Sequence, residues 1–130
     1  MCRCFKVGYK MASIEEALER LGKSKFRSSF HLTKKEMEYT KEKGLDVIES
    51  HARDFISKRL APAYIENDGS QTPMRGHPVF KAQHACACCC RGCLNKWYNV
   101  PENIALSGIQ QDKIVKLIMA WIEMKMSENK

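Results

Sequence analysis

The chain is 130 residues long, with 44% hydrophobic and 28% charged residues, the size and balance of one folded domain that can bury a core without staples. No apolar run approaches the ~18–20 residues of a membrane span, and the opening MCRCFKVGYKMASIEEALERL lacks the apolar region and cleavage pattern of a secretory signal, so residence in the cytoplasm is expected. A net charge of +7 suits a polyanionic partner, nucleic acid first, with a basic surface that is merely solvated as the equally open alternative.

In chain order, residues 1–12 read as a flexible N-terminal extension and residues 13–126 as a single helical domain. Ser13 and Glu16 form a capping box, each side chain satisfying a backbone amide of the first turn. The helix it opens carries Ile14, Leu18 and Leu21 on one face and stops at Gly22. Thr33 and Glu36 repeat the signature ahead of a helix ending at Gly44. A third helix is predicted over about Leu45 to Leu60, with Leu45, Ile48, Ala52, Phe55, Ile56 and Leu60 buried and Pro62 as terminator. His31 and His51 sit beside apolar positions and read as structural histidines.

The stretch APAYIENDGSQTPMRGHP is a long polar loop, with turn chemistry at Asn67-Asp68-Gly69 and a break at Pro73. A loop of this length inside a compact domain is often functional. Pro78 suits the first position of a new helix, with His77 as its cap or as a loop residue. Ser107 and Gln110 form a looser box before the last helix, where Ile114, Leu117, Ile118, Trp121 and Ile122 follow the helical stripe. Alternation of strand type is rare. The fold class is therefore all-α: a compact single domain of about four to five helices with a long polar loop and a cysteine-rich turn.

Five of the seven cysteines fall within residues 86–93. In a reducing compartment this crowding points to metal or reactive-thiol use rather than to disulfides. Were residues 78–97 one unbroken helix, Cys86, Cys89, Cys90 and Cys93 would share a stripe as small core residues. Arg91-Gly92 argues for a turn instead. Cys90 and Cys93 form a C-x-x-C unit able to chelate Zn²⁺ at about 2.3 Å per bond, with Gly92 supplying a positive φ. Adjacent cysteines such as Cys89 and Cys90 point apart unless the backbone turns between them. Zinc is placed ahead of an iron–sulfur cluster, whose ligands usually come from separated segments; which residues complete the shell around Cys90 and Cys93 stays open on spacing alone. The thiol alternative is a reversible Cys90–Cys93 disulfide, with Arg91 favouring a thiolate.

The segment NDGSQTPMRGHPVFKAQHACACCCRGCLNKWYNVP, followed by the helix around Trp121, resembles a bacterial family known only as a domain of unknown function, over roughly residues 23–125. The resemblance implies a compact, mainly helical intracellular domain and brings no activity, substrate or ligand. Cys89, Cys90 and Cys93 match its pattern, and the metal set that this ranking of the cysteines implies is His84, Cys89, Cys90 and Cys93. Positions 86 and 88 commonly carry threonine there and position 98 histidine where this chain has Tyr98, while Cys2 and Cys4 fall outside the match.

Two function classes stay open. One is a zinc-stabilised nucleic-acid-binding module using RLGKSKFRSSFHLTKK, where Lys23, Lys25, Arg27, Lys34 and Lys35 would track phosphates and Phe26 would stack on a base. The other is a metal-dependent enzyme, in which Gln71, Arg75 and His77 bind a substrate or anion beside the metal and His77 serves as general base.

Overall fold

The computed structural model describes residues 14–128, and within them the chain is all-helical. Ser13, Cys2, Cys4 and the proposed extension lie outside the described residues. The helices are α1 (Ile14–Gly22), α2 (Lys25–Ser28), α3 (Lys34–Lys43), α4 (Leu45–Phe55), α5 (Pro78–Ala85), α6 (Arg91–Tyr98) and α7 (Gly108–Glu128), with a π-helical turn over Ile56–Leu60 after α4. Two short helices, α2 and α6, are added to the expected set. None of the helices is long and apolar enough to cross a membrane.

Local chemistry starts several helices as the sequence implies. The Thr33 hydroxyl accepts the Glu36 amide at 3.1 Å, and the Glu36 carboxylate accepts the Thr33 amide at 2.9 Å. Ser107 and Gln110 make the same reciprocal pair before α7, at 3.1 and 2.8 Å. Pro78 opens α5, where its missing N–H costs nothing.

α7 is the spine. Its 21 residues, about 31 Å long, bury Ile114, Val115, Leu117, Ile118, Trp121 and Ile122. They pack against α1, α4 and α5. From α4 and its continuation, Ile48, Ala52, Ile56 and Leu60 face this core with no exposed area. In an unbroken α-helix, Leu60 would lie about 120° round the axis from Ile48. The π-turn, closed by the Ala61 amide on the Ile56 carbonyl at 2.9 Å, widens the last step and keeps Leu60 on the core side. The predicted face is corrected at Leu45, which is 42% exposed.

The irregular segment from Ala61 to His77 lies over the start of α6 and the end of α5. Arg91, 4% exposed, anchors it. Its Nη1 donates to the carbonyls of Leu60 and Pro62 at 3.3 and 3.0 Å, and its Nη2 to those of Pro101 and Ile104 at 2.6 and 2.7 Å. Arg91 thus turns away from the thiols, which corrects its expected role as their charge partner.

A guanidinium hydrogen-bonded to four carbonyls has no small substitute. Arg91→Met should lower the unfolding free energy by about 3 kcal/mol or more, since four carbonyls lose a charged donor and each such bond contributes about 1.5–3 kcal/mol. Urea unfolding checks this; a midpoint equal to that of the parent protein would show the anchor to be dispensable.

Candidate metal centre

The cysteines lie in the connection between two helices. α5 ends in a Schellman motif: the Ala87 amide bonds the His84 carbonyl at 3.4 Å, and the Cys88 amide bonds the Gln83 carbonyl at 2.9 Å. The left-handed residue this motif needs is Ala87, with φ 58°. The chain reverses there and enters α6 through Cys90, which is extended (φ −158°, ψ 167°) and caps the helix. Its Sγ accepts the Cys93 amide at 3.4 Å. Gly92 is helical, so the expected positive φ at that position is corrected. A side chain there would meet only ordinary contacts, 3.6 Å from Asp68 Oδ2 and 3.9 Å from Cys90 Sγ.

This arrangement answers the objection that neighbouring cysteines diverge. The chain turns into a helix immediately after Cys90, and Cys93 stands one turn along. The Sγ atoms of Cys89, Cys90 and Cys93 all lie within 4.8 Å of one another, and those of Cys89 and Cys93 are 3.6 Å apart. Cys86 and Cys88 are fully buried and stand outside this trio. The Tyr98 hydroxyl donates to the Cys86 carbonyl at 2.6 Å, holding the turn against α6 rather than facing the three sulfurs.

The charge partner comes from α2. Arg27, 8% exposed, donates through Nη1 to the His84 carbonyl at 2.6 Å and to Cys89 Sγ at 3.8 Å, and through Nη2 to Cys93 Sγ at 3.1 Å. The Cys89 thiol's hydrogen bond to Cys93, then those involving Cys90 and Arg27, together outweigh burial and hold the Cys93 thiol down at about 5. The same bond, from its donor side, and then burial push Cys89 well up. Burial raises Cys90, Cys86 and Cys88. The trio therefore centres its negative charge on Cys93, which is half-buried at the first turn of α6.

The polar loop braces this centre. Asp68 takes the amides of Arg91 and Gly92 at 2.9 and 3.1 Å, placing a carboxylate at the positive end of α6. Burial pushes the Asp68 carboxyl up, but the Gln71 side chain, the two amides and the Arg91 charge bring it below its ordinary range. The Thr72 hydroxyl donates to the Cys89 carbonyl at 2.8 Å, and Gln83 Nε2 donates to the Cys88 carbonyl at 3.2 Å. His84 stacks on Phe30 with ring centroids 5.6 Å apart. Its Nε2 lies 3.1 Å from the carbonyls of both Thr72 and Pro73. Two carbonyls only accept, so Nε2 carries the hydrogen, which in the neutral ring leaves the lone pair on Nδ1. His84 is not one of the trio within 4.8 Å.

The proposed anion-binding residues are placed differently from one another. Gln71 is used within its own turn, accepting the Gly69 amide at 2.7 Å and donating to Asp68 at 2.9 Å. Arg75 is exposed. His77 is the cap expected of it, with Nδ1 accepting the Val79 amide at 3.0 Å and Nε2 lying 3.0 Å from His51 Nδ1. With Nδ1 accepting, Nε2 carries the proton of the neutral ring and donates to His51. Neither nitrogen is then free to act as a base. Tyr39, Phe55 and Phe80 surround the ring. Of the basic segment, Lys23, Lys25, Lys34 and Lys35 are exposed and so is Phe26. Arg27 is the exception, spent on the thiols.

Sequence reading passed over Arg27 as a thiol partner because nothing local marks it: Cys89 and Cys93 lie 62 and 66 residues away. Asp68 had a signal, a turn aspartate, but its destination at α6 is a tertiary fact.

Two measurements follow from these environments. Arg27→Met should move the alkylation midpoint of Cys93 upward from about 5, followed as iodoacetamide labelling against pH; an unchanged midpoint would remove Arg27 from the account. Burial, then the neighbouring His51 charge, lowers His77 from 6.5 to about 4, against an opposing pull from Glu36. The unfolded chain thus binds a proton that the folded chain refuses. Stability from this site is full above pH 6.5 and falls as pH drops towards 4. His77→Asn retains a capping side chain and should flatten that limb of a stability–pH curve.

No solved structure matches this chain. Residues 15–123 match the family described as a domain of unknown function, DUF4186. With the match spanning the helices, the polar loop and the three converging cysteines, the chain belongs to that family.

Proposed function

We propose that the chain is a zinc-binding helical domain in which the thiolates of Cys89, Cys90 and Cys93 hold the ion and His84 supplies the fourth donor. The observation that carries this is the convergence of three sulfurs within 4.8 Å. Four ligands around zinc at about 2.3 Å place sulfurs about 3.8 Å apart, close to the 3.6 Å between Cys89 and Cys93. Charge supports the same reading. Three thiolates and one Zn²⁺ sum to −1, and Arg27 offsets that charge in a partly buried site where an unpaired charge would be costly. Zinc is preferred to an iron–sulfur cluster because these thiols all come from one short stretch.

His84 stands outside the three-sulfur cluster, so its Nδ1 would have to move towards the sulfurs when the ion binds. Ligating histidines commonly donate their other ring N–H to a carbonyl, and Nε2 of His84 faces two. The metal's role is structural: it would tie the connection after α5 to the first turn of α6, and metal binding of this kind adds directly to folding free energy. Nucleic-acid binding by residues 20–35 is not carried into this proposal, because Arg27 belongs to the thiols.

The test is metal content of protein purified anaerobically under reducing conditions, by mass spectrometry. About one zinc per chain is expected. It should be lost in Cys90→Ser/Cys93→Ser and retained in Cys86→Ala and Cys88→Ala, while His84→Ala should weaken retention against a chelator by about tenfold or more. A parent protein without metal, and without uptake on adding Zn²⁺, would overturn the proposal.

A further inference from the structure

The three sulfurs are not equivalent, and their differences suggest chemistry beyond metal retention. Cys93 is half-buried, whereas Cys89 is 7% and Cys90 9% exposed. Cys93 is therefore the sulfur of the cluster that a small oxidant reaches most readily. Arg27 Nη2 donates to it at 3.1 Å, beside a helix N-terminus, the setting in which cysteines become reactive. Its neighbours also differ. Cys90 Sγ is engaged as the cap of α6, while Cys89 Sγ lies 3.6 Å from Cys93 Sγ with its hydrogen directed at it. Cys86 and Cys88 have no exposed area.

We propose that Cys93 and Cys89 form a peroxide-oxidisable pair, in which Cys93 is attacked first and Cys89 resolves it, so that oxidation empties the metal centre. This deepens the zinc reading and, for its last step, rests on it. The oxidant is a hydroperoxide, with hydrogen peroxide the simplest. The Cys93 sulfur bonds to one peroxide oxygen as the O–O bond breaks. Cys93 becomes a sulfenic acid, and the departing hydroxide leaves as water with the thiol's proton. The Cys89 sulfur then displaces the hydroxyl of the sulfenic acid, forming the S–S bond, and the Cys89 proton leaves with that hydroxyl as a second water. In sum, two thiols and one hydrogen peroxide give one disulfide and two waters; sulfur is oxidised and peroxide oxygen reduced. With two of its three thiolates joined to each other, the centre can no longer hold Zn²⁺.

This pairing differs from a Cys90–Cys93 disulfide, and the protein's own cleavage sites distinguish oxidation at Cys93 from oxidation elsewhere. Trypsin cuts after Arg91, so a bond from Cys93 joins two peptides, and fragmentation of the joined species identifies its partner. The full chain, zinc-loaded and separately stripped by a chelator, would be treated with equimolar hydrogen peroxide and mapped without reduction, while released zinc is read with a chromogenic chelator. Expected are loss of two hydrogens, a Cys89–Cys93 link in both preparations, and one zinc released per disulfide in the loaded one. In Cys89→Ala, oxidation should stop at Cys93 as sulfenic or sulfinic acid.

A link to Cys90, Cys86 or Cys88, oxidation that leaves Cys93 untouched, or zinc release without a disulfide would overturn the pair. The two proposals fail separately. A chain that never takes up zinc yet forms the Cys89–Cys93 link overturns the metal reading and supports the pair. A chain that holds zinc but forms no such link overturns the pair alone.

Discussion

The guanidinium of Arg27 sits at the junction of α2, the end of α5 and the start of α6. It is nearly buried, with one carbonyl and two sulfurs as partners. Removing a cation from water costs several kcal/mol unless negative charge or good acceptors meet it. One carbonyl and the faces of Phe26 and Trp97, with ring centroids 5.1 and 5.9 Å away, meet part of that cost, and negative charge on the two sulfurs would offset the rest. Arg27 thereby favours negative charge on the Cys89–Cys93 pair, centred on Cys93. The proposed zinc binding and the proposed oxidation of Cys93 both draw on that contact.

The charge can be held in place because α6 begins where it must. Cys90 caps the helix with its own sulfur, and Asp68 covers the next two amides. Arg91 then fastens the first residue of α6 to carbonyls on both flanking loops. Neighbouring side chains at this helix start have opposite jobs. Cys90 and Cys93 face the cluster while Arg91 faces the framework, so the anchor of the loops and the sulfur cluster share one turn of helix. The polar loop is the outer wall, meeting the cluster through Asp68, Thr72 and Pro73.

The histidines show how easily chemistry-bearing residues are absorbed by structure. His77 accepts the Val79 amide, which dictates which nitrogen of the neutral ring holds the proton and hands that proton to His51. Caps and tautomers of this kind turn an apparent general base into a structural element sensitive to pH. His84 is constrained just as closely by two carbonyls, but with the opposite result: its uncommitted nitrogen is the one that carries a lone pair.

The sequence by itself determined what rests on neighbours within a few residues. The boxes at Thr33 and Ser107, the start of α5 at Pro78, the cap at His77 and the apolar stripe of α7 were all legible, because each is set by side chains three or four positions apart. The C-x-x-C spacing likewise picked out Cys90 and Cys93, two of the three cysteines whose sulfurs converge. Tertiary structure alone decided where Arg27 and Arg91 go, since a guanidinium's partner depends on which carbonyls and sulfurs remain unsatisfied across the fold. It also decided that Ala87 rather than Gly92 takes the left-handed turn. That choice follows from where α5 must end for α6 to pack, and local propensity, which favours glycine, points the other way.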